Sequence, residues 1–151
     1  MEKNLFRGKK FKTSVFDKTD WIYGSLIDSG NHEQVAIYPW LNGASTMSVR
    51  QLVYARMEAV KPETVGKFTG MTDIGGKEIF EGDIMKTAVT GLHPHTGVVE
   101  YAEGSFGLRC TDKAAFFLCY VAGCYTIIGN IHDNPELLPK NSAIDSPSAN
   151  P

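Results

Sequence analysis

Hydrophobic and polar positions alternate along most of this chain, and the alternation reads as β structure. Residues 53–59 show it most clearly. Val53, Ala55, Met57 and Ala59 fall on one side; Tyr54, Arg56 and Glu58 fall on the other. A period of two is what a half-buried strand produces, because successive side chains point to opposite faces. A helix over residues 48–59 is the competitor, since Ala, Arg, Met and Glu are good helix formers. Residues 21–27 carry aromatic and branched side chains suited to a pleated surface. Further strands are predicted over residues 11–16, 34–38, 65–71, 77–80, 84–89, 98–101, 106–109, 116–121 and 125–128.

Turn chemistry separates these segments. Asp17-Lys18-Thr19-Asp20, Asp28-Ser29-Gly30-Asn31, Asp73-Ile74-Gly75-Gly76 and Glu81-Gly82-Asp83 are clusters of residues that reverse the chain. Gly104 marks a hairpin turn, residues 40–48 with Asn42-Gly43 read as a loop, and GLHPHTG (91–97) as a flexible connection. Pro62-Glu63-Thr64 starts a turn or a short helical turn, and residues 134–138 form a closing helical turn. Short strands at roughly ten-residue spacing with Gly-rich turns predict a mostly-β barrel or sandwich.

The length of 151 residues suits one domain. Residues 1–10 read as a flexible N-terminal arm, residues 11–138 as the β domain, and residues 139–151, rich in Ser, Pro and Asn, as a disordered tail. The arm region is basic, with Lys3, Arg7, Lys9, Lys10 and Lys12 against Glu2, so it is either a solvated terminus or a contact for phosphates.

Charge and cysteine usage narrow the functional classes. A formal net charge of −2 is no footprint for non-specific nucleic-acid binding. Three cysteines, an odd number, and no apolar leader segment point to reduced thiols in a cytoplasm rather than a disulfide framework. No apolar run approaches the roughly 18 residues of a membrane span.

Candidate chemistry is sparse. Asp73, Glu78, Glu81 and Asp83 could serve as paired carboxylates, but Asp beside glycine in a turn usually caps its own backbone. His93-Pro94-His95 places two imidazoles where they could ligate a metal, with His132-Asp133 elsewhere, but a site needs three or four ligands, and the loop position and Pro94 favour a solvent-exposed segment. The stretch from Gly70 to Lys77 imitates a phosphate-binding loop, yet it has five residues between the glycines, and Glu78 stands where a hydroxyl is required. No GxSxG occurs. The expectation is therefore no catalytic residue, no metal and no cofactor. Aromatics interleaved with basic residues, Lys12, Tyr23, Trp40 and Arg56 among them, form a candidate nucleic-acid-binding set, because small β-barrels stack bases on aromatics in a basic groove.

Two blocks are distinctive enough to place the chain. VGKFTGM (65–71), Asp73 and GKEIFEGDI (76–84), then IGNIHDNPELL (128–138), together resemble the YopX family of phage and prophage proteins. The residues carrying the resemblance are Thr69, Gly70, Asp73, Gly76, Lys77, Glu78, Glu81, Gly82, Asp83, Gly129, Asn130, Asn134 and Pro135. Phe11, Phe16-Asp17 and WIYG (21–24) fit more loosely. Met71 stands where the family usually has Leu. The resemblance implies a mostly-β, small barrel-like fold of SH3-like character with long hairpins. It implies a phage-encoded protein in a bacterial cytoplasm, and it assigns no biochemical function. The functional expectation is a non-catalytic interaction module with a protein partner or a second copy of itself; nucleic-acid binding is the second reading and an enzyme the third.

Overall fold

The computed structural model of the chain describes residues 4–12, 21–39, 48 and 57–138. Where the sequence pointed to one domain, the chain divides into two compact units, Met1–Phe68 and Thr69–Pro151.

The first unit is an antiparallel sheet. Its strands are β1 (Phe6–Lys9), β2 (Trp21–Asp28), β3 (Val35–Pro39), β4 (Glu58–Val60) and the start of β5 (Gly66–Thr72), in the order β4-β3-β2-β1-β5. Register explains which face is buried. Phe6 pairs with Gly24 and Gly8 with Ile22, while Arg7 pairs with Tyr23 and Lys9 with Trp21. The first set joins a core of Ile22, Val35, Ile37 and Val60, flanked by Phe6, Leu26 and Val65. Gly8 permits this packing: a Cβ there would come 3.0 Å from Val60 Cγ2 and 3.2 Å from Ile37 Cδ1.

The expected flexible arm over residues 1–10 is therefore corrected at residues 6–9. They form a strand bonded on both sides, to β2 and to β5. Four residues are too few to show a period, and their positive charge imitates a solvated terminus. The charges are housed by an aromatic: the Arg7 guanidinium lies 4.8 Å from the Trp21 ring centroid and the Lys9 ammonium 5.6 Å. Thr64, in the single helical turn Pro62–Thr64, accepts the Lys9 amide at 2.8 Å and donates to the Lys61 carbonyl at 2.7 Å. Most of the strand predicted over 11–16, most of the loop over 40–48, most of the alternating segment over 53–59 and the tail over 139–151 lie outside the described residues.

Strand β5 continues into the second unit, where it pairs with β6 (Glu78–Phe80). A five-stranded antiparallel sheet follows: β7 (Asp83–Thr87), β8 (Thr96–Ala102), β9 (Ser105–Cys110), β10 (Ala115–Phe117) and β11 (Tyr125–Asn130), in the order β10-β9-β8-β7-β11. The chain runs β7 to β10 as a meander and returns β11 to the free edge of β7. The β8–β9 hairpin turns on Glu103 (φ 51°) and Gly104 (φ 83°). Two successive positive φ values make a type I′ turn, whose twist matches that of the strands. Ile79, Met85, Val99, Leu108, Cys110, Leu118, Ala122 and Tyr125 form the core.

The mostly-β expectation holds. Neither sheet joins its end strands, so the described residues form two open antiparallel sheets and close no barrel. Among them, no helix is long and apolar enough to cross a membrane. The predicted strand over 116–121 is corrected: it ends at Phe117, and helix α1 (Leu118–Val121) follows, continued by the 3-10 turn Ala122–Cys124. A continuous apolar run has no period with which to choose between strand and helix. Packing decides it: Leu118 and Ala122, one helical turn apart, both enter the core, and Tyr120 is left 80% exposed.

Leu118→Ala is expected to cost about 2–5 kcal/mol, by lost burial plus the cavity left behind. Tyr120→Ala, a surface change, is expected to stay within about 0.5 kcal/mol. Urea unfolding of the two variants checks both, and an extended segment would give the two changes similar effects.

Candidate functional site

The distinctive residues are assembled at turns of the second unit. The Asp73 side chain closes the turn between β5 and β6, where Oδ1 accepts the amides of Gly75 and Lys77, each at 2.9 Å. Its other oxygen reaches β11 and accepts the Ile127 amide at 3.0 Å. One carboxylate thus holds a turn and pins it to a strand 54 residues further on. Asp73 is buried. Burial alone pushes its carboxyl up, but the amides of Ile127, Lys77 and Gly75 and the Lys77 charge outweigh this and leave it below its ordinary value. Gly76 adopts φ 83°, which a side chain would strain.

The other signature residues act similarly. The Thr69 hydroxyl donates to the Ile79 carbonyl at 2.9 Å and accepts the Met71 amide at 3.2 Å, with Gly70 at φ 82° between them. Asp83, 2% exposed, accepts the Phe80 amide at 2.8 Å through Oδ2 and so closes the Glu81-Gly82 turn. The Gly82 amide donates to the Val99 carbonyl, and its own carbonyl accepts from Ile131. The Lys77 side chain is exposed and Glu78 and Glu81 are partly so.

The closing block is a second knot. Asn130 Oδ1 accepts the amides of His132 and Asp133, each at 3.0 Å, and its Nδ2 donates to Asp133 Oδ2 at 3.0 Å. The Asn134 side chain lies against Gly129 so closely that a Cβ on Gly129 would fall 2.5 Å from Asn134 Oδ1. Pro135 opens the final helical turn, Pro135–Leu137, where its missing amide costs nothing. The predicted closing helical turn is thus present.

Two of the four residues proposed for nucleic acid, Trp40 and Arg56, lie outside the described residues. Lys12 and Tyr23 are exposed. Arg7 and Lys9, read from the sequence as part of a basic arm, and the aromatic Trp21 share the Tyr23 face. Their juxtaposition follows from strand register, which the sequence does not display.

A surface not foreseen from the sequence lies on the outer face of β8, β9 and β10. The ladder places Glu100 opposite Gly107, Ala102 opposite Ser105, Ala115 opposite Arg109 and Phe117 opposite Gly107. These residues alternate with Val99 and Leu108, which enter the core. They line an open depression of about 320 Å³, with Gly107 at its middle. Phe117 borders it, 60% exposed, and meets Tyr120 edge-on at 6.2 Å. Arg109 and Glu100 pair across it at 2.7 Å. Among the described residues strand β10 is an edge of the sheet, so its outer backbone groups face no described strand.

The thiols are free. Burial, with some help from Asp112, pushes Cys110 up to about 11, so it is a protonated core group rather than a nucleophile.

Asp73 gives the site a pH signature. Its folded value is lowered, so its contribution to stability is complete above the unfolded value of about 4 and is lost as pH falls through the folded value. Asp73→Asn is expected to lower the urea midpoint at neutral pH and to flatten the loss of stability below about pH 4. Parallel slopes for wild type and variant in that window would remove Asp73 from this role.

No curated protein matches the chain. Among solved structures, the crystal structure of protein EF1440 from Enterococcus faecalis is similar, with a TM-score of 0.51, 21% identity and coverage of 90% of this chain and 97% of that one. At that identity the likeness speaks for the fold. The family model described as YopX protein matches residues 10–139, which span both signature blocks, and the chain belongs to the YopX family.

Proposed function

We propose that this chain is a non-catalytic interaction module, of the kind phages and prophages encode, working in a bacterial cytoplasm. It binds an extended protein segment on the outer face of β8, β9 and β10. The observation that carries the reading is the depression around Gly107 beside the open edge of β10, with Phe117 exposed next to it. An incoming strand can pair with an exposed sheet edge while one apolar side chain fills the depression. Exposed aromatics supply large contact area at low cost in entropy. Charge defines the neighbouring residue of the partner. Arg109 is paired with Glu100, so Glu103 is the charge left on the rim, and a cation beside the apolar side chain complements it. The non-catalytic part rests on Asp73, whose two oxygens accept backbone amides, and on Asp83, whose Oδ2 accepts the Phe80 amide.

A second reading is favoured by one observation. Lys9, Trp21 and Tyr23 share a face of the first unit, where the Lys9 ammonium and the buried Arg7 guanidinium both lie over the Trp21 ring. Single-stranded nucleic acid binds surfaces of that composition.

Panning a random-peptide library on the intact protein tests the first reading. Enriched peptides are expected to carry a large apolar residue beside Lys or Arg. Phe117→Ala and Ala115→Arg are each expected to weaken them at least about tenfold, the scale of an interface anchor. Peptides that bind the two variants like the wild type overturn this reading. A low-salt gel shift abolished by Lys9→Ala and Tyr23→Ala, with the β10 variants neutral, replaces it with the second.

A further inference from the structure

The end of the β9–β10 hairpin brings one distant carboxylate to a pair of neighbouring imidazoles. His93 and His95 lie in the connection between β7 and β8, and Asp112 lies in the turn between β9 and β10. One ligand-capable atom from each falls within 4.8 Å of the others. We propose that His93, His95 and Asp112 form a binding site for a divalent first-row transition ion such as zinc.

Two of the three donors are already set. Thr87 fixes the backbone of His95: its hydroxyl accepts the His95 amide at 2.8 Å, and its own amide donates to the His95 carbonyl at 3.0 Å. The His95 ring packs against Phe116 at 5.2 Å between centroids, which restricts its rotation. Asp112 is held by its other oxygen, Oδ1, which accepts the Ala114 amide at 3.2 Å. Oδ2 is then 2.7 Å from His95 Nδ1. Two ligands bound at about 2.0–2.2 Å to one ion sit roughly 3 Å apart, so this pair needs only a small widening.

His93 supplies the third donor. It is exposed, and its ring lies 4.9 Å from that of His95. Gly91 (φ 89°) precedes it, and the Thr87 hydroxyl of β7 donates to the His93 carbonyl at 3.4 Å. A modest closure brings His93 onto the ion, and water completes the coordination. Two imidazoles and one carboxylate select zinc, nickel, cobalt or copper over magnesium and calcium, which prefer oxygen throughout. The imidazoles were visible in the sequence; the carboxylate was not, because it stands 17 residues beyond His95.

The test uses the untagged full chain carrying Cys119→Ser, so that the exposed thiol does not compete, stripped with a chelator and titrated calorimetrically with Zn²⁺. One ion per chain is expected, with no heat from Mg²⁺. His95→Ala, Asp112→Asn and His93→Ala are each expected to weaken binding by roughly 100-fold, at or above the cost of losing an outer-shell partner. Nitrogen NMR shifts of the His93 and His95 rings on adding Zn²⁺ separate direct ligation from an indirect effect. His93 is exposed, so its variant keeps the fold and the test remains decisive if His95→Ala unfolds. Zinc affinity weaker than about 1 mM, or affinity unchanged within twofold in all three variants, overturns the site.

Discussion

The second unit depends on how its tightest turns satisfy their backbone amides. A chain that reverses at Asp73-Gly76 and again at Glu81-Gly82 leaves amides that no strand can accept. Asp73 takes two of them, those of Gly75 and Lys77, and adds the Ile127 amide of β11; Asp83 takes the Phe80 amide. A charged acceptor makes stronger hydrogen bonds than a neutral one, and a buried amide left unpaired costs about 1–3 kcal/mol. Asp73 and Asp83, which look acid–base competent in the sequence, thus direct their carboxylates at backbone amides. The same demand explains why the signature is dense in Gly and Asp: glycine supplies the positive φ, and aspartate the acceptor.

Much of the fold was legible because strand and turn signals agreed. The segments over 21–27, 34–38, 65–71, 77–80, 84–89, 98–101, 106–109 and 125–128 appear as β2, β3, β5, β6, β7, β8, β9 and β11 within a few residues. The failures share a cause. At residues 6–9 a basic composition concealed a central strand, since what buries Arg7 is the sheet around it. At residues 118–121 the apolar run carried no period, and only the position of Leu118 relative to the core makes it helical. Barrel closure also needs information about edges, which local pattern does not hold.

Legibility of the site was lower still. Turn residues are recognisable because their conformations demand particular side chains. The depression around Gly107 is a product of register: its members come from three strands and are united only by facing outward together. The His93, His95 and Asp112 cluster is likewise a product of hairpin geometry. Surfaces that bind are assembled from long-range pairing, and no local pattern announces them.

The ladder between β7 and β11 slips between Ile127 and Gly129, leaving Ile128 as an extra residue without a partner. Ile127 packs against the core and Ile128 is 38% exposed. A strand that had kept its alternation would carry its next residues on the opposite faces. The slip therefore acts as a phase adjuster: it delivers Gly129 to the side where Asn134 can lie against it, and lets Asn130 begin the closing knot. Chain length at this point is thereby fixed. Removing one residue would give a more regular ladder and a C-terminal block turned to the wrong face.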